Sequence, residues 1–166
     1  MECADTLANP TGGAWWLRVL TDGSSRWDTP LCGDRHDALT WTFEPRPDAV
    51  EAAREISAAL LREWRMWYLF DDVSVVVSEL VTNAVQHGDP LDVSRPGGGG
   101  IQLSLMRGGG EFICAVRDGA DRLPRRREAD LAAEGGRGLA LVSAFAQEWG
   151  VILTPPRGKF VWAQFV

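Results

Sequence analysis

An apolar stripe between residues 73 and 85 constrains the fold of this chain more than any other feature of its sequence. Apolar residues recur there at steps of three and four: Val73, Val76, Val77, Leu80, Val81, Ala84 and Val85. This spacing places all of them on one side of an α-helix. Because such a stripe must be buried, the rest of the chain must supply a sheet or further helices to cover it.

Weaker patterns predict the elements around this helix. An earlier helix is predicted after Asp48, which can cap it, with apolar positions at Val50, Ala53, Ser57, Leu60, Leu61 and Trp64. Residues 101–105 alternate between apolar and polar, glycines follow at 108–110, and an apolar run returns at 112–116, which predicts an antiparallel hairpin. Further strands are predicted over 40–43, 151–154 and 160–166, and a third helix over 139–149.

The predicted order from residue 40 onward is β, α, α, β, β, loop, α, β, β. This order favours an α+β fold in which helices pack on one face of a largely antiparallel sheet. Residues 1–39 show no sustained period, although residues 15–20 could form one short strand. We therefore divide the chain into an N-terminal extension of unknown role, residues 1–39, and one domain, residues 40–166.

Composition excludes several classes of protein. The net charge of −6 and the pI near 4.9 argue against direct binding of nucleic acid, which requires clustered Lys and Arg. The three cysteines lack the spacing of a metal site and indicate a reducing compartment. We find no run of about 18 apolar residues and no export signal, so we expect a cytoplasmic protein without a membrane span.

Two groups of residues could carry chemistry. Glu79, Asn83 and His87 follow one another at steps of four, so they share a helix face beside the apolar stripe. Spacing alone leaves two interpretations of this polar row open, a binding site or a solvated helix face.

The second group begins with Asp118 at the end of a predicted strand. A charged loop follows it and leads to the glycine turn at 135–138, directly before a predicted helix. Glycines there let the backbone approach a phosphate, and a helix N-terminus offers unpaired N–H groups. The turn matches none of the common phosphate-loop motifs.

Four segments taken together resemble the GHKL ATPase superfamily. They are ELVTNAVQH at 79–87, VRD at 116–118, GGRGL at 135–139 and GKFVW at 158–162. Within the superfamily the chain is most similar to the anti-sigma-factor serine/threonine kinase branch, from about residue 40 to the end. The resemblance implies a Bergerat-type fold, a two-layer sandwich with helices on one face of a mixed, mostly antiparallel sheet.

The resemblance also implies a role for individual residues. Asn83 would coordinate a Mg²⁺ ion bound to the phosphates of ATP, and Asp118 would accept a hydrogen bond from the adenine amino group. Glu79 would act as the general base that orients a substrate hydroxyl or water. Histidine kinases generally carry Asn at the position of Glu79.

The remaining nucleotide-binding residues would lie around an ATP lid over residues 119–137. Gly136 and Gly138 would let this lid close over the phosphates, and Arg137 would add positive charge. The predicted set is completed by Gly119, Gly135 and Leu139. His87 would either contact phosphate or cap its helix, and the sequence leaves both roles open.

The leading functional hypothesis is therefore an ATP-dependent protein kinase that binds a sigma factor and phosphorylates an antagonist, the anti-anti-sigma protein. The kinase branch also implies a homodimer. An alternative is an ATP-gated protein-binding module without kinase activity. A histidine kinase is a third hypothesis, which is weakened because no long dimerisation helix precedes the domain and His36-Asp37-Ala38-Leu39 only weakly resembles a phosphoacceptor box.

Overall fold

The computed structural model describes residues 15–22, 36–92, 98–124 and 138–166. The helices are α1 (Trp15–Asp22), α2 (Asp48–Glu63), α3 (Phe70–His87) and α4 (Gly138–Phe145), with a short 3₁₀ turn at Trp67–Leu69 before α3. The strands are β1 (Asp37–Phe43), β2 (Ile101–Gly108), β3 (Glu111–Asp118), β4 (Glu148–Leu153) and β5 (Lys159–Phe165).

These strands form one sheet in the order β1-β2-β3-β5-β4, and each neighbouring pair is antiparallel. The predicted hairpin is confirmed, because β2 and β3 pair directly on either side of the glycine turn. Gly109 and Gly110 have φ of 59° and 81° in that turn, a conformation that glycine adopts without steric cost. The predicted α+β class is confirmed, and no parallel pair occurs among the strands of the described residues.

The main core lies between the sheet and the helices α2, α3 and α4, which share one face as predicted. Val73, Val76 and Val77 of the α3 stripe are fully buried there. They pack in one cluster with inward-facing sheet residues such as Leu103 and Cys114. The buried stripe therefore fixes the orientation of α3 against the sheet. The same packing determines the direction of the polar face that lies beside the stripe.

The opposite face of the sheet is covered by α1, where the sequence had suggested a short strand. That prediction is wrong for residues 15–20. Trp16 and Leu20 lie four residues apart, so a helix presents both to the sheet, and both are buried. The Trp16 ring lies 4.6 Å from the ring of Trp162, centroid to centroid, within a second apolar cluster.

Several element boundaries differ from the predictions. The first strand begins at Asp37 rather than at residue 40, and the third helix ends at Phe145 rather than at residue 149. Glu148 and Trp149, predicted as helical, pair instead with β5. The division of the chain at residue 39 stays a prediction. In the described part of the chain, no helix has the length and apolar character needed to cross a membrane.

Candidate functional site

Helix α3 places Glu79 and Asn83 beside the first residue of α4. A Cβ atom at Gly138 would lie 2.8 Å from Glu79 Oε2 and 3.4 Å from Asn83 Nδ2. Glu79 and Asn83 are one turn apart on the same helix face. Two predicted site residues and the start of α4 therefore meet at one point, where a side chain at position 138 would intrude.

Glu79 is partly buried at this point. Burial raises the pKa of its carboxyl group above the ordinary value of 4.5, because removal from water disfavours the charged form. A carboxylate with a raised pKa is a stronger base and accepts a proton more readily near neutral pH. The position and the basicity of Glu79 are thus both compatible with proton abstraction.

Asp118 lies at the end of β3 and is 3% exposed. Lys159 Nζ donates hydrogen bonds to both carboxylate oxygens, at 2.8 Å to Oδ1 and 2.9 Å to Oδ2. The backbone N–H of Ala120 also donates to Oδ1, at 2.8 Å. A Cβ atom at Gly88 would lie 2.9 Å from Asp118 Cγ. The end of α3 therefore contacts Asp118, so one helix borders both groups of predicted residues.

Gly119 fixes the first residue of the predicted lid against the segment that follows α3. Its N–H donates to the carbonyl oxygen of Asp89 at 2.7 Å. A Cβ atom at residue 119 would overlap the carbonyl oxygen of Pro90. Only glycine permits this approach of two backbone segments, which explains its presence directly after Asp118.

A known protein family matches most of the chain. Residues 43–165 match the family model of the histidine kinase-like ATPase domain. The chain belongs to this family. A comparison with curated proteins finds no match. The matched range extends from the last residue of β1 to the last residue of β5 and includes every predicted site residue.

Membership in the histidine kinase-like ATPase family confirms the resemblance to the GHKL superfamily and identifies an ATP-binding regulatory domain. Glu79 and Asn83 face the start of α4, and buried Asp118, at the end of β3, contacts the residue that follows α3. These predicted residues therefore all border α3. The finer assignment to the anti-sigma-factor kinase branch stays a prediction.

Other predicted site residues lie away from Glu79, Asn83 and Asp118 or have a different role in the structure. Leu139 is 5% exposed, so its side chain is a packing residue of α4. His87 is the last residue of α3, its side chain is exposed, and its carbonyl oxygen accepts a hydrogen bond from Arg122 at 3.2 Å. Gly135, Gly136 and Arg137 lie outside the described residues.

A magnesium site in this domain would need oxygen ligands from the protein. Within residues 15–22, 36–92, 98–124 and 138–166, no group of three or more His, Cys, Asp or Glu side chains could hold a metal ion. Mg²⁺ commonly takes one or two protein oxygens and fills its remaining positions with phosphate oxygens and water. The amide oxygen of Asn83, which lies beside Gly138 at the start of α4, fits that kind of shared site.

Sequence reasoning missed the partner of Asp118. Lys159 belongs to the GKFVW segment at 158–162, but no pattern in the sequence connects it with Asp118. One signal for a special role of Lys159 was present in the sequence. It is the only lysine among 17 basic residues, and all the others are arginines. Trp162, in the same GKFVW segment, is fully buried and is therefore a core residue.

Proposed function

We propose that this protein is an ATP-dependent serine/threonine protein kinase of the anti-sigma-factor type. It binds a sigma factor and transfers the γ-phosphoryl group of ATP to a Ser or Thr of an antagonist protein, which controls that binding. The observation that carries the proposal is the partly buried carboxyl group of Glu79 beside Asn83 and Gly138. Glycine at position 138 lets the start of α4 approach this carboxyl group closely, because a side chain there would clash with Glu79 Oε2.

The binding roles follow from the positions of three residues. Asp118, at the end of β3 and beside the end of α3, accepts a hydrogen bond from the adenine amino group. Glycine at position 138 leaves no side chain between the N-terminal end of α4 and the phosphates. Asn83 would hold a Mg²⁺ ion, which would neutralise phosphate charge and orient the γ-phosphoryl group. The nucleotide would thus extend along α3, with its base near Gly88 and its phosphates near Glu79.

The chemical step requires one proton acceptor from the protein. As the substrate hydroxyl oxygen attacks the γ-phosphorus, Glu79 takes the hydroxyl proton. A bond forms between that oxygen and phosphorus, and the bond from phosphorus to the β–γ bridging oxygen breaks. ADP leaves, and Glu79 returns its proton to solvent. General-base catalysis of this kind contributes about 10²- to 10⁴-fold to a rate.

The partners in this proposal are proteins. An acidic chain with a charge of −6 is poorly suited to phosphate backbones, which supports protein partners over nucleic acid. The sigma factor, the anti-anti-sigma antagonist and a second copy of the chain are the proposed partners, acting in the cytoplasm to regulate transcription.

The test is phosphoryl transfer from γ-labelled ATP, with magnesium, to each purified antagonist-type protein of the same organism. We expect alkali-labile phosphate on Ser or Thr of one antagonist, and a rate about 10²- to 10⁴-fold lower for Glu79→Gln. Glu55→Gln, which changes an exposed glutamate of α2, is the control and retains the wild-type rate.

Other outcomes would contradict the kinase proposal. ATP binding without transfer to any antagonist would favour the ATP-gated binding module. Acid-labile phosphate on His36 would favour the histidine kinase.

A further inference from the structure

A buried ion pair joins the neighbouring strands β3 and β5 of the sheet, next to the proposed adenine position. The side chains of Lys159 and Asp118 are only 6% and 4% exposed. The two residues are direct partners in the register of β3 and β5. The backbone register of β3 and β5 therefore places these two side chains opposite each other.

All donors of Lys159 are used within the protein. An ammonium group has three N–H donors. Lys159 Nζ donates to both oxygens of Asp118 and, at 3.2 Å, to the carbonyl oxygen of Ala120. Because no N–H donor is left over, Lys159 cannot form a hydrogen bond with a base directly. Any effect of Lys159 on a bound nucleotide must therefore act through Asp118.

The two oxygens of Asp118 are not equivalent. Oδ1 accepts from Lys159 and from the N–H of Ala120, whereas Oδ2, within the described residues, accepts from Lys159 alone. A carboxylate oxygen can accept about two hydrogen bonds. Oδ2 thus keeps one acceptor position for a ligand donor.

The hydrogen bonds from Lys159 determine how Asp118 presents its oxygens to a ligand. Without them, only the N–H of Ala120 among the described residues would hold the carboxylate, through Oδ1, and Oδ2 would lose its fixed position. A carboxylate oxygen only accepts hydrogen bonds. Adenine presents an amino donor at the position where hypoxanthine presents a carbonyl acceptor, so a carboxylate oxygen held in place favours adenine over hypoxanthine.

We propose that Lys159 is a positioning residue that gives the adenine subsite its preference for an amino-purine. It orients the carboxylate of Asp118 and leaves Oδ2 as the acceptor for the amino group. The inference rests on the proposed ATP-dependent function and concerns base recognition alone, so it needs no phosphorylated partner for its test.

The test compares the affinities for ATP and inosine triphosphate by calorimetry in wild type and Lys159→Met. We expect the wild type to prefer ATP, and the variant to lose about tenfold to a hundredfold in ATP affinity. Its affinity for inosine triphosphate should stay the same or rise, so the preference collapses. An equal ratio of the two affinities in wild type and Lys159→Met would overturn the inference.

Arg157→Met is the matched control. Arg157 lies two residues from Lys159 and carries the same charge, but its side chain is 67% exposed and pairs with Asp89 and Asp121 at 3.3 and 3.5 Å. Removing this cation should leave the base preference unchanged. An equal loss of preference in both variants would mean that general charge, rather than the contact with Asp118, sets the preference.

A second measurement uses the folded wild type and does not depend on the stability of a variant. Because Lys159 is the only lysine, isotope-labelled lysine gives one ammonium signal in NMR. We expect this signal to shift on addition of ATP and not on addition of inorganic triphosphate. Bound ATP with an unmoved signal would refute the inference alone, whereas a wild type that binds no ATP would refute the proposed function as well.

Discussion

Replacing Gly138 with alanine should impair phosphoryl transfer without weakening the fold. The new Cβ atom would lie 2.8 Å from Glu79 Oε2, against an ordinary contact of about 3.5 Å. The carboxyl group of Glu79 must therefore withdraw by roughly 0.7 Å, which the end of a flexible side chain can do. The amide of Asn83, at 3.4 Å, needs a much smaller adjustment.

The magnitude follows from this displacement. A misplacement of about 1 Å at a reacting group costs on the order of 10²-fold in rate, so we expect kcat to fall by about tenfold to a hundredfold. The affinity for ATP should fall less than kcat, because Asn83 and Asp118 stay in place. Gly138 does not have a positive φ, and alanine favours a helix over glycine by up to about 1 kcal/mol, so the Tm should not fall.

The assay measures kcat and KM for transfer to the antagonist together with the Tm. Ala144→Gly, at an exposed position of the same helix, is the control and should show the opposite pattern, a lower Tm with an unchanged kcat. A wild-type kcat in Gly138→Ala would refute the argument that Glu79 acts as the base beside Gly138.

Three further predictions concern stability and reactivity. Trp16→Ala should lower the free energy of unfolding in urea by about 3–5 kcal/mol and leave ATP affinity unchanged, because Trp16 is buried on the far face of the sheet; unchanged stability would show that α1 does not pack there. The pKa of Glu79 is raised in the folded state, so its contribution to stability is present below pH 4.5 and is lost as the pH rises through the raised pKa. Glu79→Gln should thus have a higher Tm than wild type at neutral pH and no advantage in acid, and an equal Tm at both would contradict the burial of this carboxyl. Burial raises the pKa of the Cys114 thiol to about 12, so mass spectrometry should find Cys114 unalkylated in the native protein and alkylated in denaturant; rapid native alkylation would refute its burial.

The elements with strong local signals were predictable from the sequence. The α3 stripe repeats over three helical turns, and the hairpin has alternating strands on either side of a glycine turn. Both patterns arise because one face of the helix or of the hairpin is buried in the core. For the same reason Glu79 and Asn83 could be placed on one side of α3, beside the stripe that anchors it.

Features that depend on tertiary pairing were not predictable in this way. Glu148 and Trp149 continue a helix-like pattern, but pairing with β5 makes them a strand, because strand preference depends on neighbours across the sheet. The short α1 offers too few residues to show a period. The contact of Lys159 with Asp118 spans 41 residues and exists only through the register of β3 and β5.

The most direct test of the account is calorimetric titration of ATP, with and without magnesium, into wild type and Asn83→Ala. Gln86→Ala, at an exposed position of the same helix, is the control. We predict magnesium-dependent binding by wild type and control that is lost in Asn83→Ala. Absence of ATP binding by the wild type, or equal binding by Asn83→Ala, would contradict a nucleotide site built on α3.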